Sequence, residues 1–352
     1  MPAAIEAFGL VKHFGETRAV DGVDLTIAAG SVFGLLGPNG AGKTTVVRML
    51  ATLLRPDAGE AHVLGHDIVT DADAVRSAVG LTGQYASVDE DLTGAENLFL
   101  IARLYGFPSP AARARAADLL GAFDLTDAAG KQVKNYSGGM RRRLDLAASL
   151  VRSPRVLFLD EPTTGLDPRS RNQVWDIVRL LAREGATILL TTQYLDEADQ
   201  LADRIAVIDH GKVIAEGTAP QLKASVGSGT VTLRVAEPAQ RDEAARIVGE
   251  VLGGTVTPAA EPTSLDAQVP EGNEAAAADV LPALRAAGIT VPEFSLGQPS
   301  LDEVFLALTG ERPDTADAEN GEEGDRGGTD GRGEPEHAGH HTAAAAEVGE
   351  DR

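Results

Sequence analysis

The strongest chemical signal in the chain is the run Gly37-Pro38-Asn39-Gly40-Ala41-Gly42-Lys43-Thr44-Thr45. It fits the G-x-x-x-x-G-K-[ST] phosphate loop at every fixed position. Gly37, Gly40 and Gly42 let the backbone approach a polyphosphate and turn with positive φ where needed. The N–H groups of the loop and of the helix that follows then face the anion, together with those of Pro38-flanking Asn39 and Ala41. Lys43 adds a mobile positive charge for the β- and γ-phosphates, and the Thr44 hydroxyl is placed to ligate Mg²⁺. A glycine-rich turn that binds nothing is the competing reading. The flanks disfavour it: Ser31 to Leu36 reads as a short buried strand, and Thr45 to Leu50 as the first turns of a helix, the setting this motif needs. The chain is therefore expected to bind a nucleoside triphosphate.

Other groups could serve that ligand. Val156-Leu157-Phe158-Leu159-Asp160-Glu161 is an apolar strand ending in two carboxylates, for which the competing reading is a pair that caps the next helix. Ser137-Gly138-Gly139 opens a helix, so bare N–H groups, a hydroxyl and a favourable dipole form an anion site. Asp167-Pro168 is an N-cap followed by proline at the first helical position. Gln84 ends the short strand Val79-Gly80-Leu81-Thr82-Gly83. Phe14, in the turn His13-Phe14-Gly15-Glu16, either stacks on an adenine face or plugs a hairpin.

These groups need an α/β frame. Ile5 to Gly30 reads as two antiparallel strands, and Leu53 to Asp67 as a second small β region. From about residue 86 to 153 the pattern is mostly helical. It opens on the capping box Thr93-Gly94-Ala95-Glu96, continues over Pro110 to Leu120 and Asp127 to Gln132, and closes at Ser153-Pro154. A helix from Asp167 to Gly185 carries Val174, Ile177, Val178 and Leu181 inward; Trp175 falls off that stripe and is expected at the surface or at a subdomain contact. Thr187 to Thr192 is a buried strand, Asp196 to Ala202 a helix, and Ile205 to Ala215 a hairpin over His210-Gly211. Residues 226–310 read as a small α+β domain, with a strand at Thr230 to Val235, helices at Arg241 to Leu252 and Ala275 to Ala287, and a closing helix from Pro299. Residues 311–352 lose apolar patterning and are expected to be disordered. The histidines His337, His340 and His341 there read as a solvated tail in preference to a metal site.

The chain has 352 residues, enough for a large domain and a smaller one. It has no cysteine, which excludes disulfides and Cys-based sites. Acidic residues outnumber basic ones by 53 to 31, giving a formal charge of -22 that argues against a nucleic-acid partner. No secretory signal pattern and no run of about 18 apolar residues is seen, so a cytoplasmic location is expected.

The order of motifs over residues 1–220 closely resembles the ATP-binding-cassette (ABC) ATPases. In sequence these are an aromatic, a phosphate loop, a glutamine, Asn135-Tyr136-Ser137-Gly138-Gly139-Met140-Arg141, a double carboxylate, Gly165-Leu166-Asp167, and a polar residue after Thr191-Thr192. The resemblance implies a P-loop NTPase cassette: a RecA-like core, an antiparallel β subdomain, and a helical subdomain at about 86–153, together spanning residues 1–225. It implies ATP and Mg²⁺ as ligands. Phe14 would stack on adenine, and the phosphate loop from Gly37 to Thr45 would hold the phosphates and the metal. Gln84 would reach Mg²⁺ or the attacking water, Asp160 would hold Mg²⁺ directly or through water, and Glu161 would act as general base or orient the water. Ser137, Gly138 and Gly139 would clamp the γ-phosphate held by an opposing copy, and Asp167 would contact that copy. The working form would be a head-to-tail dimer.

Two positions depart from the common pattern. Met140 replaces a frequent glutamine, and Gln193 stands where most of the family has histidine. Glutamine keeps a hydrogen-bond donor but cannot carry charge. Together with Gly83 to Asp89, Tyr136 to Asp145 and Ser300-Leu301-Asp302-Glu303-Val304-Phe305, these features resemble the daunorubicin/doxorubicin-resistance exporter ATPases. That resemblance implies a separate membrane permease, a peripheral place on the cytoplasmic membrane face, and a hydrophobic drug as cargo. A soluble ABC protein acting on ribosomes or DNA is the alternative. A non-catalytic drug-sequestering protein is a third reading, disfavoured by the intact Lys43, Asp160 and Glu161. Hydrolysis is expected to be slow but real. Removing a donor to the transition-state oxyanion costs about 3 kcal/mol, so Gln193→Ala is expected to slow single-turnover hydrolysis roughly a hundredfold. An unchanged rate would leave Gln193 without a catalytic role.

Overall fold

Three sheets follow one another along the chain in the computed structural model, which describes residues 2–83, 88–225, 229–259, 261–270, 273–297 and 301–309. The first is antiparallel, in the order β2-β1-β4-β5: β1 (Ala3–Phe14), β2 (Thr17–Ala28), β4 (Ala58–Val63) and β5 (His66–Asp67). The second has six strands in the order β10-β9-β3-β8-β7-β6. Its members are β3 (Val32–Leu36), β6 (Val79–Thr82), β7 (Val156–Asp160), β8 (Thr187–Thr192), β9 (Arg204–Asp209) and β10 (Lys212–Gly217). All pairs in it are parallel except β9 with β10.

The central strands are apolar throughout because both faces are covered. Along β7, Leu157 and Leu159 join the core shared with the helical region, which includes Leu98, Leu120 and Leu144. The alternate residues Val156 and Phe158 join the core shared with the antiparallel sheet, which includes Ile5, Leu10, Val46 and Val63. In β8, Ile188 and Leu190 face the first core and Leu189 the second. The period-2 geometry of a strand thus splits one continuous apolar run between two layers.

Helices α1 (Lys43–Leu50) and α2 (Ala72–Ala78) precede the helical region, which holds α3 (Gly94–Leu104), α4 (Ser109–Ala122) and α5 (Gly138–Ser149). Its entry is fixed by a complete capping box, with Thr93 accepting from the Glu96 N–H and Glu96 accepting from the Thr93 N–H. The helical stretch expected over Asp127 to Gln132 is only a short 3₁₀ turn at Thr126–Ala128; Gly130 and the turn around it stop propagation. The helix α6 (Pro168–Arg183) follows its Asp167 cap, and α7 (Leu195–Leu201) follows β8. Of the two places expected for Trp175 the surface is ruled out: it is buried, and its Nε1–H donates to Glu197 Oε1 of α7 at 3.1 Å. An indole is buried at low cost when its one donor finds an acceptor, and that acceptor lies on another helix.

The third sheet has the order β12-β13-β11-β14, all antiparallel. It contains β11 (Gly229–Arg234), β12 (Val256–Pro258), β13 (Ser264–Val269) and β14 (Glu293–Gly297), with α9 (Arg241–Leu252) and α10 (Ala277–Ala286) between them. The chain order βαββαβ with this strand order is a ferredoxin-like split. One sheet face packs Val231, Leu233, Leu265, Ala267 and Val269 against Val248 and Val280 of the helices. The strands β12, β13 and β14 have no counterpart in the sequence reading. The closing helix α11 (Leu301–Thr309) leaves this layer: Leu301, Val304 and Phe305 pack with Leu195 and Ala198 of α7 and with Leu222 of α8 (Ala219–Ala224). The expectations for residues 311–352, their disorder and their histidines, lie outside the described residues.

Phe305 is 3% exposed, and deleting a buried phenyl ring costs about 3–5 kcal/mol. Phe305→Ala is expected to lower the unfolding free energy by about 3 kcal/mol in urea titrations.

Candidate functional site

The parallel strands end on one side of the six-stranded sheet, and the chemically suggestive residues collect there, as they do at the carboxyl ends of open α/β sheets. The phosphate loop leaves β3 between its neighbours β8 and β9. It leads into α1 (Lys43–Leu50), whose N-cap Gly42 sits at φ 106. A Cβ at Gly42 would lie 2.3 Å from the Ala19 carbonyl oxygen, and one at Gly37 2.2 Å from that of Ile208. Both contacts are with backbone, so only glycine fits. The resulting cavity of about 150 Å³ is lined by Ala19, Asn39, Gly40, Ala41, Gly42, Lys43, Thr44, Thr45 and Glu161.

Lys43 is nearly fully buried in this loop. Its Nζ donates to the carbonyls of Gly37 at 2.7 Å and Pro38 at 3.0 Å, and lies 3.4 Å from Glu161 Oε1. Burial pulls the Lys43 ammonium below the ordinary lysine range, and the charges of Glu161 and Asp160 oppose that shift. Thr44 Oγ1 donates to Asp160 Oδ1 at 3.0 Å, and Thr191 Oγ1 donates to the same oxygen at 2.6 Å. A hydroxyl and a carboxylate side by side are the hard oxygen donors taken by a small divalent cation that keeps waters and phosphate oxygens as its other ligands. Among the described residues no group of three His, Cys, Asp or Glu side chains forms a cage by itself.

Glu161 takes φ 49, a left-handed conformation rare for a residue with a side chain. Its N–H donates to the Thr191 carbonyl at 3.2 Å and to Thr191 Oγ1 at 3.0 Å, which tethers it to β8. Thr164 Oγ1 donates to Glu161 Oε2 at 3.4 Å. The turn therefore carries the carboxylate off the strand line and into the cavity wall.

The remaining sequence candidates sit elsewhere. Ser137 caps α5, accepting from the Met140 N–H at 3.3 Å. A Cβ at Gly139 would meet Ser170 Oγ at 2.4 Å, so α5 starts tight against α6. Neither Ser137, Gly138 nor Gly139 lines the phosphate-loop cavity. Asp167 accepts from the Ser170 N–H at 3.0 Å and from its hydroxyl at 2.6 Å, and these bonds hold its carboxyl below the usual range. Phe14 is exposed at the end of β1, with Lys12 Nζ 6.0 Å from its ring centre. Gln193 is half-buried just past β8. Gln84 lies outside the described residues.

Sequence reasoning missed three supporting groups. Thr191 orients Asp160 and Glu161 as above. Glu197, fully buried, accepts from Thr163 Oγ1 at 2.9 Å and from Trp175 Nε1, joining the loop after β7 to α6 and α7. Arg142 of α5 donates to three carbonyls around the site. A glutamate between Leu195, Ala198 and Leu201 on a short helix was the one available signal for Glu197.

A fold of this order, with its phosphate-binding cavity at the strand ends, is that of an ATP-binding cassette. A solved ATP-binding cassette of an ABC transporter in its ADP conformation superposes with a TM-score of 0.55 at 26% identity, covering 62% of this chain and 92% of that one. The ABC transporter family matches residues 20–164, and the C-terminal domain of DrrA1-3-like ATP-binding proteins matches residues 217–309. The daunorubicin/doxorubicin resistance ATP-binding protein DrrA of Streptomyces peucetius is 58% identical over 91% of this chain and 96% of its own length. The daunorubicin resistance ATP-binding protein DrrA3 of Streptomyces coeruleorubidus is 55% identical over 88% and 96%. The chain belongs to the ABC transporter ATPases, in the group of the daunorubicin/doxorubicin-resistance ATP-binding proteins. It is an ATP-binding protein on that ground.

Burial pushes the Glu197 carboxyl above the ordinary glutamate range, against the bonds from Thr192, Thr163 and Trp175. The folded chain thus keeps this proton at a pH where the unfolded chain has lost it. This contribution falls as pH rises from the ordinary glutamate value toward the raised one. Glu197→Gln is expected to flatten that fall in urea denaturation followed across pH, and parallel profiles for variant and wild type would show that Glu197 is ionised without penalty.

Proposed function

We propose that this chain is the ATP-hydrolysing subunit of an exporter that moves a hydrophobic drug of the anthracycline kind through a separate membrane permease. The observation that carries the reading is the buried Lys43–Glu161 pair beside the Thr44–Asp160 oxygens, a site equipped for phosphoryl transfer to water. Phosphoryl transfer needs positioning and charge neutralisation more than covalent chemistry. Lys43 and the loop N–H groups would bind the phosphates, and Phe14 would stack on the base. Thr44 and Asp160, with Gln84, would hold Mg²⁺, which supplies charge neutralisation at the phosphate oxygens. Glu161 would accept a proton from the attacking water, and Gln193 would donate to the γ-phosphate.

The separation of Ser137-Gly138-Gly139 from the chain's own cavity supports a head-to-tail pair. In it each copy offers this loop to the nucleotide on the other, with Asp167 at the shared boundary. The drug as cargo rests on the relatives, whose names specify daunorubicin and doxorubicin resistance. No helix among the described residues is long and apolar enough to cross a membrane, so the path for cargo would come from a partner. A cleft of about 440 Å³ lined by Leu53, Leu81 and Tyr105 together with Asp73, Arg76 and Arg152 would offer the permease a mixed apolar and charged seat. The chain would then sit on the cytoplasmic face of the membrane.

Expression with and without a cognate permease tests this directly. The expected result is ATP hydrolysis together with membrane pelleting that depends on the permease. A chain that stays in the soluble fraction and is equally active either way would contradict the exporter reading.

A further inference from the structure

Arg142 lies on α5, one turn beyond the Ser137-Gly138-Gly139 loop. Its guanidinium leaves that helix and reaches the core. Nε donates to the Pro162 carbonyl at 2.7 Å, Nη2 to the Asp160 carbonyl at 3.1 Å, and Nη1 to the Gly83 carbonyl at 2.8 Å. Asp160 and Pro162 flank Glu161, so the backbone on both sides of that residue is pinned by one side chain. Gly83 is the last described residue before Gln84.

The pinning falls where it matters. Glu161 is held at φ 49, and a left-handed conformation in a residue with a side chain persists only when its surroundings over-determine it. Thr191 fixes the Glu161 N–H from β8; Arg142 fixes the two adjacent carbonyls from α5. The guanidinium is desolvated, and the charges of Asp145, Asp160 and Glu161 oppose the cost of burying it. Its planar fork satisfies three carbonyls in fixed directions, which a lysine ammonium on a single stem cannot reproduce.

We propose that Arg142 is a positioning residue that makes the aim of Glu161 depend on the placement of the helix beginning at Ser137. This rests on the head-to-tail reading above. In that pair α5 presents Ser137-Gly138-Gly139 to the nucleotide of the other copy, whereas Glu161 serves the chain's own nucleotide. Arg142 therefore links the two composite sites within each chain. Seating of α5 at one nucleotide orients the carboxylate at the other, and hydrolysis becomes cooperative in ATP.

The test compares wild type, Arg142→Lys and Arg142→Gln in the complete complex with the permease. ATPase rate is followed against ATP, and binding of a fluorescent ATP analogue and thermal stability are measured alongside. Wild type is expected to show a Hill coefficient above one. Both variants are expected to bind the analogue about as tightly as wild type, to lose at least roughly tenfold in kcat through misplacement of Glu161, and to give a Hill coefficient near one. Variants that keep both kcat and Hill coefficient while wild type is cooperative would overturn the role of Arg142 and leave the dimer reading standing. A wild-type coefficient of one would overturn the coupling, while a nucleotide-dependent dimer of Glu161→Gln in light scattering would show that the head-to-tail reading still stands. Full rescue by lysine would refute the forked contact. Losses of analogue affinity and thermal stability that match the loss of kcat would reduce Arg142 to a structural part; if the Gln variant does not fold, the Lys variant decides.

Discussion

A buried ammonium must find partners, and much of this structure exists to supply them at one point. Lys43 is enclosed by the glycine-rich loop, with two of its donors on the Gly37 and Pro38 carbonyls and its charge against Glu161. An ion pair out of water stabilises little by itself, because desolvation offsets the Coulomb gain. It requires instead that its surroundings be placed accurately. The loop can approach so closely only because Gly37 and Gly42 have no Cβ to strike Ile208 and Ala19. Glu161 can turn back toward it only because Thr191 and Arg142 hold an unfavourable backbone in place. The adjacent strands β3, β8 and β7 bring the loop, the threonine and the carboxylates together at their carboxyl ends.

Around that point the molecule divides its tasks. The six-stranded sheet is covered on both faces and acts as a rigid frame. The helical region is attached to the frame through the core that includes Leu157 and Ile188, and through Arg142. The loop at Ser137, proposed above to take the γ-phosphate of another copy, does not line the chain's own phosphate-loop cavity. In the head-to-tail pair proposed above, each loop would serve the other copy's nucleotide. The C-terminal ferredoxin-like layer keeps a core of its own, yet its last helix returns to α7 and α8. This C-terminal layer is thereby moored to the element that follows Gln193.

Local signals carried most of the fold and the main site residues. The phosphate loop announces itself because its spacing serves a backbone geometry that few other sequences share. The strand ending at Asp160 and Glu161 is a pure apolar run, and the box at Thr93 and Glu96 marks a helix start. The losses were of two kinds. Strands β12 and β14 are short, exposed and poor in apolar residues, so their pairing through β13 and β11 is written in register and not in composition. The other kind is long-range. Nothing near Trp175 reveals that Glu197, 22 positions on, accepts its indole proton. Nothing near Arg142 reveals that its acceptors lie 18, 20 and 59 positions away. Such contacts are properties of the packed molecule.

The central claim is that the phosphate loop of one copy and the Ser137 loop of another form one site closed by ATP. The most direct measurement is the mass of Glu161→Gln by light scattering with and without Mg²⁺-ATP, since this variant should bind ATP without consuming it. The account predicts a monomer without nucleotide and a stable dimer with it, abolished when Ser137→Arg is added. A protein that binds ATP and remains monomeric at every concentration would contradict the account.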